Sequence, residues 1–496
     1  RIAARRWLPE GPRFAQAGPF DLDPLPLADR ARYVASLFID DLADAFREGV
    51  DPRFGLARYA ERLAGRASSF APIRRALEGR PTLVDRMIDD IARKLIRRHR
   101  PDLVGLTIPF PGAVYGAFRI ARAIRRRTPR TRIAIGGGFV STELRALSDP
   151  GVFDFAHFVI LDDGEAPLLA LVEHLEGRRP AGRLIRTFAR KRGRVVFHDA
   201  AEPDVPRRDK PAPVYAGLKL DRYLSMSETL NPMHRLWSER RWNKLMLAHG
   251  CYWRQCAFCD TTLDYIRRFD PAPAGKLADD IESIIRRTGS RDFHFTDEAA
   301  PPALLRALAD ELLRRRLRIR WWCNIRFEEH FTPALARRLA DSGCIAVSGG
   351  LETASDRLLK FMNKGVTLAQ AGRAMKAFSD AGIMVHAYLM YGFPTQTERE
   401  TVAALDTVRR LFREGCLHSA YWHRFALTAH SPIARTPAAY GIRLLPARRG
   451  GFARNELPYT EPEGIDHERL GPGLRKAVYN FMHGIGLDTP ARQWFD

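Results

Sequence analysis

Long apolar runs are missing from this chain. No stretch of its 496 residues approaches the ~18 consecutive apolar residues that a membrane-spanning helix needs, so no membrane partner is expected. The succession of charged, apolar and small residues that marks a secretory leader is also absent, and a reducing cytoplasm is the expected setting. Arg1 stands where an initiating Met would be, which makes a fragment the expectation. Cysteine is scarce: there are six, none before residue 251, which excludes a disulfide-stapled scaffold. Acidic residues are short too, with 58 Asp and Glu against 80 Lys and Arg, a net charge of +22. Such an excess can mark nucleic-acid or anionic-surface binding. Here the Arg-rich stretches at 121–130 and 311–320 carry no interleaved aromatics, so they read as solvated helix faces. Nucleic acid is therefore not the expected partner. What remains, 45% hydrophobic and 28% charged residues, is the composition of a globular protein.

Hydrophobic periodicity divides the chain. Short apolar runs at 103–108, 132–137 and 157–161 alternate with helical patterns at 113–127 and 166–176, the signature of a parallel sheet. Residues 29–100 look mostly helical. A Pro-rich charged stretch at 201–213 can continue neither a helix nor a central strand and reads as a linker. Six further strand-like runs come after it, at 243–249, 292–296, 318–325, 344–349, 383–391 and 418–426, separated by five helical patterns. One helix has Thr332 as cap and Pro333 in its first turn and stops at Gly343; the next opens on the Thr367–Gln370 capping-box spacing and stops at Gly382. The expected architecture is α/β. A helical lead-in with a Rossmann-like parallel sheet spans 1–200, a linker 201–235, a partial (β/α)6 barrel 236–435 and a short carboxy-terminal extension 436–496, with one helix at 466–483.

In such sheets the working site lies at the carboxyl ends of the strands, and polar or glycine-rich groups gather there. Cys251, Cys256 and Cys259 follow the first barrel strand, and Asp297 and Glu298 the second. Asn324 and Arg326 end the third, Gly349, Gly350 and Glu352 follow the fourth, Gly392, Pro394 and Thr397 the fifth, and His423, His430 and Ser431 end the sixth. Asp297 and Glu298 also suit the amino end of the helix starting near Pro302, and Arg326 also suits an ion pair with Glu328 or Glu329. Trp321, Trp322, Tyr388, Tyr391 and His423 read either as lining of the barrel mouth or as packing.

The three clustered cysteines, spaced C-x4-C-x2-C, read as a metal site. Three thiolates can hold three irons of a cubane cluster and leave the fourth iron open to a small molecule. Zinc would need a fourth ligand, for which His249 is placed, and buried structural cysteines are the third reading.

At these residues the chain resembles the radical S-adenosylmethionine enzymes, with Phe258 as the aromatic before the last cysteine and one residue more than their usual C-x3-C-x2-C spacing. FHFTDEAAPP (293–302), with Thr296, Asp297 and Glu298, resembles the segment that faces the methionine amino group. GGLETASDRLLKFMNKG (349–365) resembles the fourth-strand motif, in which Glu352 would reach the cofactor's polar end. LMYGFPTQTERE (389–400), with Pro394, resembles the turn beside the adenine. The resemblance implies a [4Fe-4S] cluster on Cys251, Cys256 and Cys259, with S-adenosylmethionine at its open iron and Arg326 and the glycines nearby. Ahead of the barrel, Thr107, the run Gly136, Gly137 and Gly138, and Gly164 with Glu165 lie in segments resembling a Rossmann-like cobalamin-binding domain. That domain's Asp-x-His-x-x-Gly loop is absent, so cobalamin is expected without a histidine ligand.

The implied activity is methylation of an unactivated carbon in a small-molecule or natural-product substrate, with a one-electron reductant such as flavodoxin or ferredoxin. Rearrangement, cyclisation or oxidation without methyl transfer is the nearest alternative. A zinc-stabilised basic nucleic-acid-binding module is the alternative of another class, and a methylthiotransferase-like role lacks its second cysteine cluster. No residue is assigned to catalysis itself.

Overall fold

The computed structural model describes residues 27–56, 58–64, 68–223, 233, 241–446, 450–462 and 464–495. Residues 1–26 and most of the linker beyond residue 223 lie outside them. The chain forms two compact units: Phe38–Val205 with Pro446–Pro458, and Arg1–Leu37 with Pro206–Leu445 and Tyr459–Asp496. The carboxy-terminal extension, expected as one piece, is thus divided between them. Phe452 belongs to the hydrophobic core of the first unit, and Gly451 bridges to Ser69.

The first unit is built on three parallel strands, β1 (Leu103–Thr107), β2 (Arg132–Gly136) and β3 (Phe158–Ile160). Two antiparallel strands, β4 (Thr187–Lys191) and β5 (Arg194–His198), complete the sheet in the order β1-β2-β3-β4-β5. No sequence pattern announces this hairpin. Its turn is Arg192–Gly193, both residues in the left-handed region (φ 49° and 78°), the conformation a two-residue hairpin turn demands and Asn-Gly usually supplies. The unit's longer helices include α1 (Leu83–His99), α2 (Pro111–Arg127) and α4 (Glu165–Leu175), with the short α3 (Gly138–Glu143) directly after β2. Ile133, Ile135, Val114, Phe118 and Val159 are buried in the core between sheet and helices.

The second unit holds six parallel strands: β6 (Asn243–Leu245), β7 (Asp292–Phe295), β8 (Arg320–Ile325), β9 (Cys344–Glu352), β10 (Met384–Tyr391) and β11 (Ser419–Arg424). Each pairs only with its neighbours in this series, the order of a partial (β/α)6 barrel. The intervening helices are α5 (Ala274–Thr288), α6 (Pro302–Arg314), α7 (Pro333–Asp341), α8 (Leu368–Asp380) and α9 (Glu398–Arg413), and α10 (Gly471–Met482) lies in the extension. Caps set the helix starts: Thr332 Oγ1 accepts from Leu335 N (3.3 Å), and Thr367 and Thr397 form capping boxes with Gln370 and Glu400. Strand alternation sends Phe293, Phe295, Trp321, Cys323, Val347 and Val385 into the core against the helices. His294, Trp322, Asn324, Ser348, His386 and Tyr388 consequently share the opposite face.

Candidate active site

The first strand ends early. After Leu245 the backbone leaves the sheet, and Ala248–His249 pairs instead with Asp270–Pro271. Asp297 holds that departure: its carboxylate, 1% exposed, accepts from Leu247 N (3.0 Å) and Ala248 N (2.7 Å). Burial pushes this carboxyl up to about 7, against the pull of the two amides. Ionised Asp297 is therefore penalised in the folded state. Its contribution to stability is full below the ordinary carboxyl pKa and is lost as pH rises through about 7. Asp297→Asn removes that titration, so its melting temperature relative to the parent is expected to rise between pH 5 and 8 in a scanning calorimeter.

Gly250 opens the cysteine loop at φ +76°, where a Cβ would strike the Arg268 carbonyl oxygen. Within the loop Cys251 N donates to Ile266 O (3.2 Å), Cys259 N to Cys256 O (3.2 Å) and Thr261 N to Cys259 O (2.8 Å). Between the first two cysteines, Arg254 takes a left-handed conformation (φ 56°). The loop is fastened to the turn after β9: Ala257 N donates to Met362 O (2.8 Å), Trp253 Nε1 to Asn363 O (2.9 Å) and Asn363 Nδ2 to Gln255 O (3.1 Å).

That turn delivers Lys364, which lies within the 349–365 motif but to which the motif assigns no role. Buried and 2.6 Å from Glu352 Oε1, its ammonium holds the carboxylate that β9 presents. Glu352 reaches this position because the pairing of β9 with β10 shifts register between Gly350 and Glu352, and Glu352 adopts φ 60°. A bulge of this kind re-aims the side chain, at a backbone cost of about 1–2 kcal/mol for a residue with a Cβ. Arg326, also buried, donates to the Lys364 carbonyl, stacks over the Trp253 ring (4.5 Å), pairs with Glu328 (3.5 Å) and brings Nη1 to 3.8 Å from Cys256 Sγ.

A cavity of about 300 Å³ results, lined by Cys251, Cys256, Cys259 and Phe258 from the loop. Glu298, Asn324, Arg326, Ser348, Gly349, Gly350, Glu352, Lys364 and Tyr388 complete its wall from the strand ends. The Cys256 thiol is pulled down to about 6, first by its hydrogen bond with Cys259 and then, against burial, by Lys364 and Arg326. Cys259 is pushed up by the same pairing and by burial. Burial raises the Glu298 carboxyl. At Lys364 desolvation alone would lower the ammonium, but Glu352 and Cys256 outweigh it and its pKa is raised.

Among the described residues no three His, Cys, Asp or Glu side chains converge on one ion position. His249, placed in sequence to be a fourth zinc ligand, is engaged with Asp264 Oδ2 at 2.8 Å. The loop thus offers three thiols, the donor set of a cubane with one open iron, and His249 is committed elsewhere.

Three of the residues expected at the site lie elsewhere or serve otherwise. Asp297 secures the backbone where β6 leaves the sheet, and Thr296 and Pro394 do not line the cavity; Thr296 N donates to Leu245 O (2.9 Å). Pro394 sits in a turn whose Gly392 and Phe393 amides donate to the buried Gln396 Oε1 (2.8 and 3.2 Å). Of the aromatics, Trp321 and Tyr391 are core residues facing the helices, while Trp322 stacks on His294 (3.6 Å, 6° between planes).

In the first unit, Gly137 adopts φ +105° and a Cβ there would meet the Ile108 backbone; Gly138 is similarly close to Pro109 O. The glycine run thus admits the loop after β1. Gly164 caps α4 and Glu165 opens its first turn, while Thr107 ends β1 exposed. In the loop after β1, Phe110 is 70% exposed.

Residues 245–408 match the model of the radical SAM superfamily. This stretch is a radical SAM domain. With it, the expected α/β architecture and the enzyme class, a radical S-adenosylmethionine enzyme, both hold. The chain is 25% identical over 332 residues to an uncharacterised methyltransferase of Pyrococcus horikoshii, covering 66% of this chain and 68% of that one. It is 26% identical over 358 residues to the anaerobic magnesium-protoporphyrin IX monomethyl ester cyclase of Rubrivivax gelatinosus, covering 68% and 60%. The chain thus spans only about 60% of that relative's length. The fold matches the radical S-adenosylmethionine methyltransferase TsrM of Kitasatospora setae, solved with a tryptophan substrate and an S-adenosylmethionine analogue, at TM-score 0.60 and 18% identity over 79% of this chain and 80% of that one. The same protein was solved with cobalamin and a [4Fe-4S] cluster bound. No helix among the described residues is long and apolar enough to cross a membrane.

Proposed function

We propose that this chain is a cobalamin-dependent radical S-adenosylmethionine methyltransferase acting on an unactivated carbon of a small organic or natural-product substrate. The observation that carries the proposal is the single cavity gathering Cys251, Cys256 and Cys259 with Glu298, Arg326, Gly350, Glu352 and Lys364 at the strand ends. When bound, a [4Fe-4S] cluster, S-adenosylmethionine and cobalamin supply one-electron chemistry and a methyl donor. The chain's own part is placement. Cys251, Cys256 and Cys259 would hold the cluster, and Gly350, without a Cβ, lets the Glu352 carboxylate and the Lys364 ammonium come up against the β9 backbone beside it. Glu352, fixed by Lys364, and Glu298 offer carboxylates to an ammonium group, and Arg326 or Lys364 offers a cation to a carboxylate. Asn324, Ser348 and Tyr388 face inward to receive the substrate. On the first unit, Thr107, Gly136, Gly137, Gly138, Gly164 and Glu165 form a rim on which a corrin would rest, with Phe110 against it. A flavodoxin- or ferredoxin-type protein would supply the electron, in a cytoplasmic setting.

Cyclisation without methyl transfer is the second reading, favoured by the Rubrivivax relative. Anaerobic turnover with S-adenosylmethionine labelled on its methyl group separates them. Labelled product accompanied by 5′-deoxyadenosine is the expected outcome. Deoxyadenosine with unlabelled product would favour cyclisation, and neither product with any candidate substrate would overturn the proposal.

A further inference from the structure

Helix α1 (Leu83–His99) carries apolar side chains on both faces: Val84, Ile88, Ala92 and Ile96 are buried or half-buried, and Ile96 packs against the core. Its inward face carries carboxylates: Asp85, fully buried, accepts from Arg53 (3.1 Å), Tyr59 (3.1 Å) and Tyr115 (3.0 Å), and Asp89 pairs with Arg119 (2.5 Å). Ala92 is its only buried apolar residue. Four further large apolar residues point outward at a spacing of four: Leu83, Met87, Ile91 and Leu95 are 42%, 56%, 59% and 51% exposed. Spacing of four places side chains along one helix face, so they form a continuous stripe.

Around the carboxyl end of that stripe lies unpaired positive charge. Lys94, Arg97, Arg98, Arg100, Arg127 and Arg130 are exposed, and none has a carboxylate partner among the described residues. Most of them also line a crevice of about 990 Å³ floored by Ala92, Ile96 and Ile124. The helix's own acids cannot offset this charge, because Asp85 and Asp89 are satisfied internally and Asp90 is paired with Arg93.

We propose that this face of the first unit docks on an anionic lipid surface, with Leu83, Met87, Ile91 and Leu95 entering the headgroup–acyl boundary and the surrounding cations binding lipid phosphates. An amphipathic helix with an apolar stripe and a Lys/Arg-rich flank is the element that lies in such an interface. A second copy of the chain would bring like charges together across the stripe. A specific protein interface needs on the order of 800 Å² per partner, more than four side chains on one helix supply. A bilayer asks for neither shape complementarity nor area. This peripheral docking is distinct from the spanning helix that the composition excludes.

The test is sedimentation of the full chain with vesicles of phosphatidylcholine containing about a third phosphatidylglycerol, beside vesicles of phosphatidylcholine alone. Binding to the anionic vesicles, weakened by high salt, is expected. Arg97→Gln with Arg98→Gln and Arg127→Gln should weaken it about a hundredfold, since each surface cation contributes about fivefold. Met87→Ser with Ile91→Ser should weaken it at low and high salt alike. All five positions are exposed, so both variants should melt as the parent does, which separates lost docking from lost folding. Equal binding to neutral vesicles, no binding at low salt, variants that sediment like the parent, or a concentration-dependent dimer in place of vesicle binding would each overturn the proposal.

Discussion

Cys256→Ala is expected to leave a folded chain that retains no cluster iron after anaerobic reconstitution and has lost more than about a thousandfold of its activity, some 4 kcal/mol in barrier terms. Cys256 is the most buried of the three loop cysteines, 6% exposed, and Arg326 Nη1 and Lys364 surround its sulfur. Its thiolate is the form a metal ligand requires, and the neighbouring cations favour that form before any metal arrives. Truncating a small buried side chain by one sulfur costs stability of only about 1 kcal/mol, so activity and folding should separate cleanly. Cys323→Ala is the control. Cys323 is also buried, but in the core between sheet and helices, so its loss should cost stability and spare the iron. Iron content and melting temperature, measured on both variants, check the pair; a Cys256 variant that kept its iron would remove this sulfur from the ligand set.

Lys364→Met should have the second largest effect. The ammonium is buried and paired with Glu352 at 2.6 Å, and removing one partner of a buried pair leaves the other charge uncompensated, at a cost of about 3–5 kcal/mol. The same contact has two consequences. The melting temperature falls, and affinity for S-adenosylmethionine drops about 10- to 100-fold, the size of one lost hydrogen bond to a charged group. Combining Lys364→Met with Glu352→Gln removes both charges, so stability should largely return while binding does not. Calorimetry and equilibrium binding of S-adenosylmethionine on the two single variants and the double variant measure this. Additive losses of stability in the double variant would show that the pair is not a unit.

Much of the barrel could be read from periodicity and punctuation. Thr332, Thr367, Gly343 and Gly382 bound helices where capping chemistry requires, and the cysteine loop, Glu298, Arg326, Gly350 and Glu352 meet because strand ends gather. What escaped depended on tertiary placement. Lys364 lies 108 residues from Cys256 in sequence and reaches it only through the Met362 and Asn363 contacts with the loop. Asp297 and Glu298 are adjacent, and strand geometry alone could not say which would turn toward Leu247 and which toward the cavity. Trp321 and Trp322 are likewise adjacent, so one had to be core and the other interior. The β4–β5 hairpin was hidden by an Arg-Gly turn within an Arg-rich stretch. The face of α1 was hidden because its periodicity is that of an ordinary amphipathic helix, and only the partners of Asp85 and Asp89 show which side is inside.

Electron paramagnetic resonance of the anaerobically reconstituted, dithionite-reduced chain tests most directly whether three thiolates hold a cluster with one iron left open. A signal from a reduced [4Fe-4S] cluster that changes on addition of S-adenosylmethionine, and that is absent from Cys256→Ala, is the expected result. A chain that carries zinc without acid-labile sulfide, or a cluster signal indifferent to S-adenosylmethionine, would contradict it.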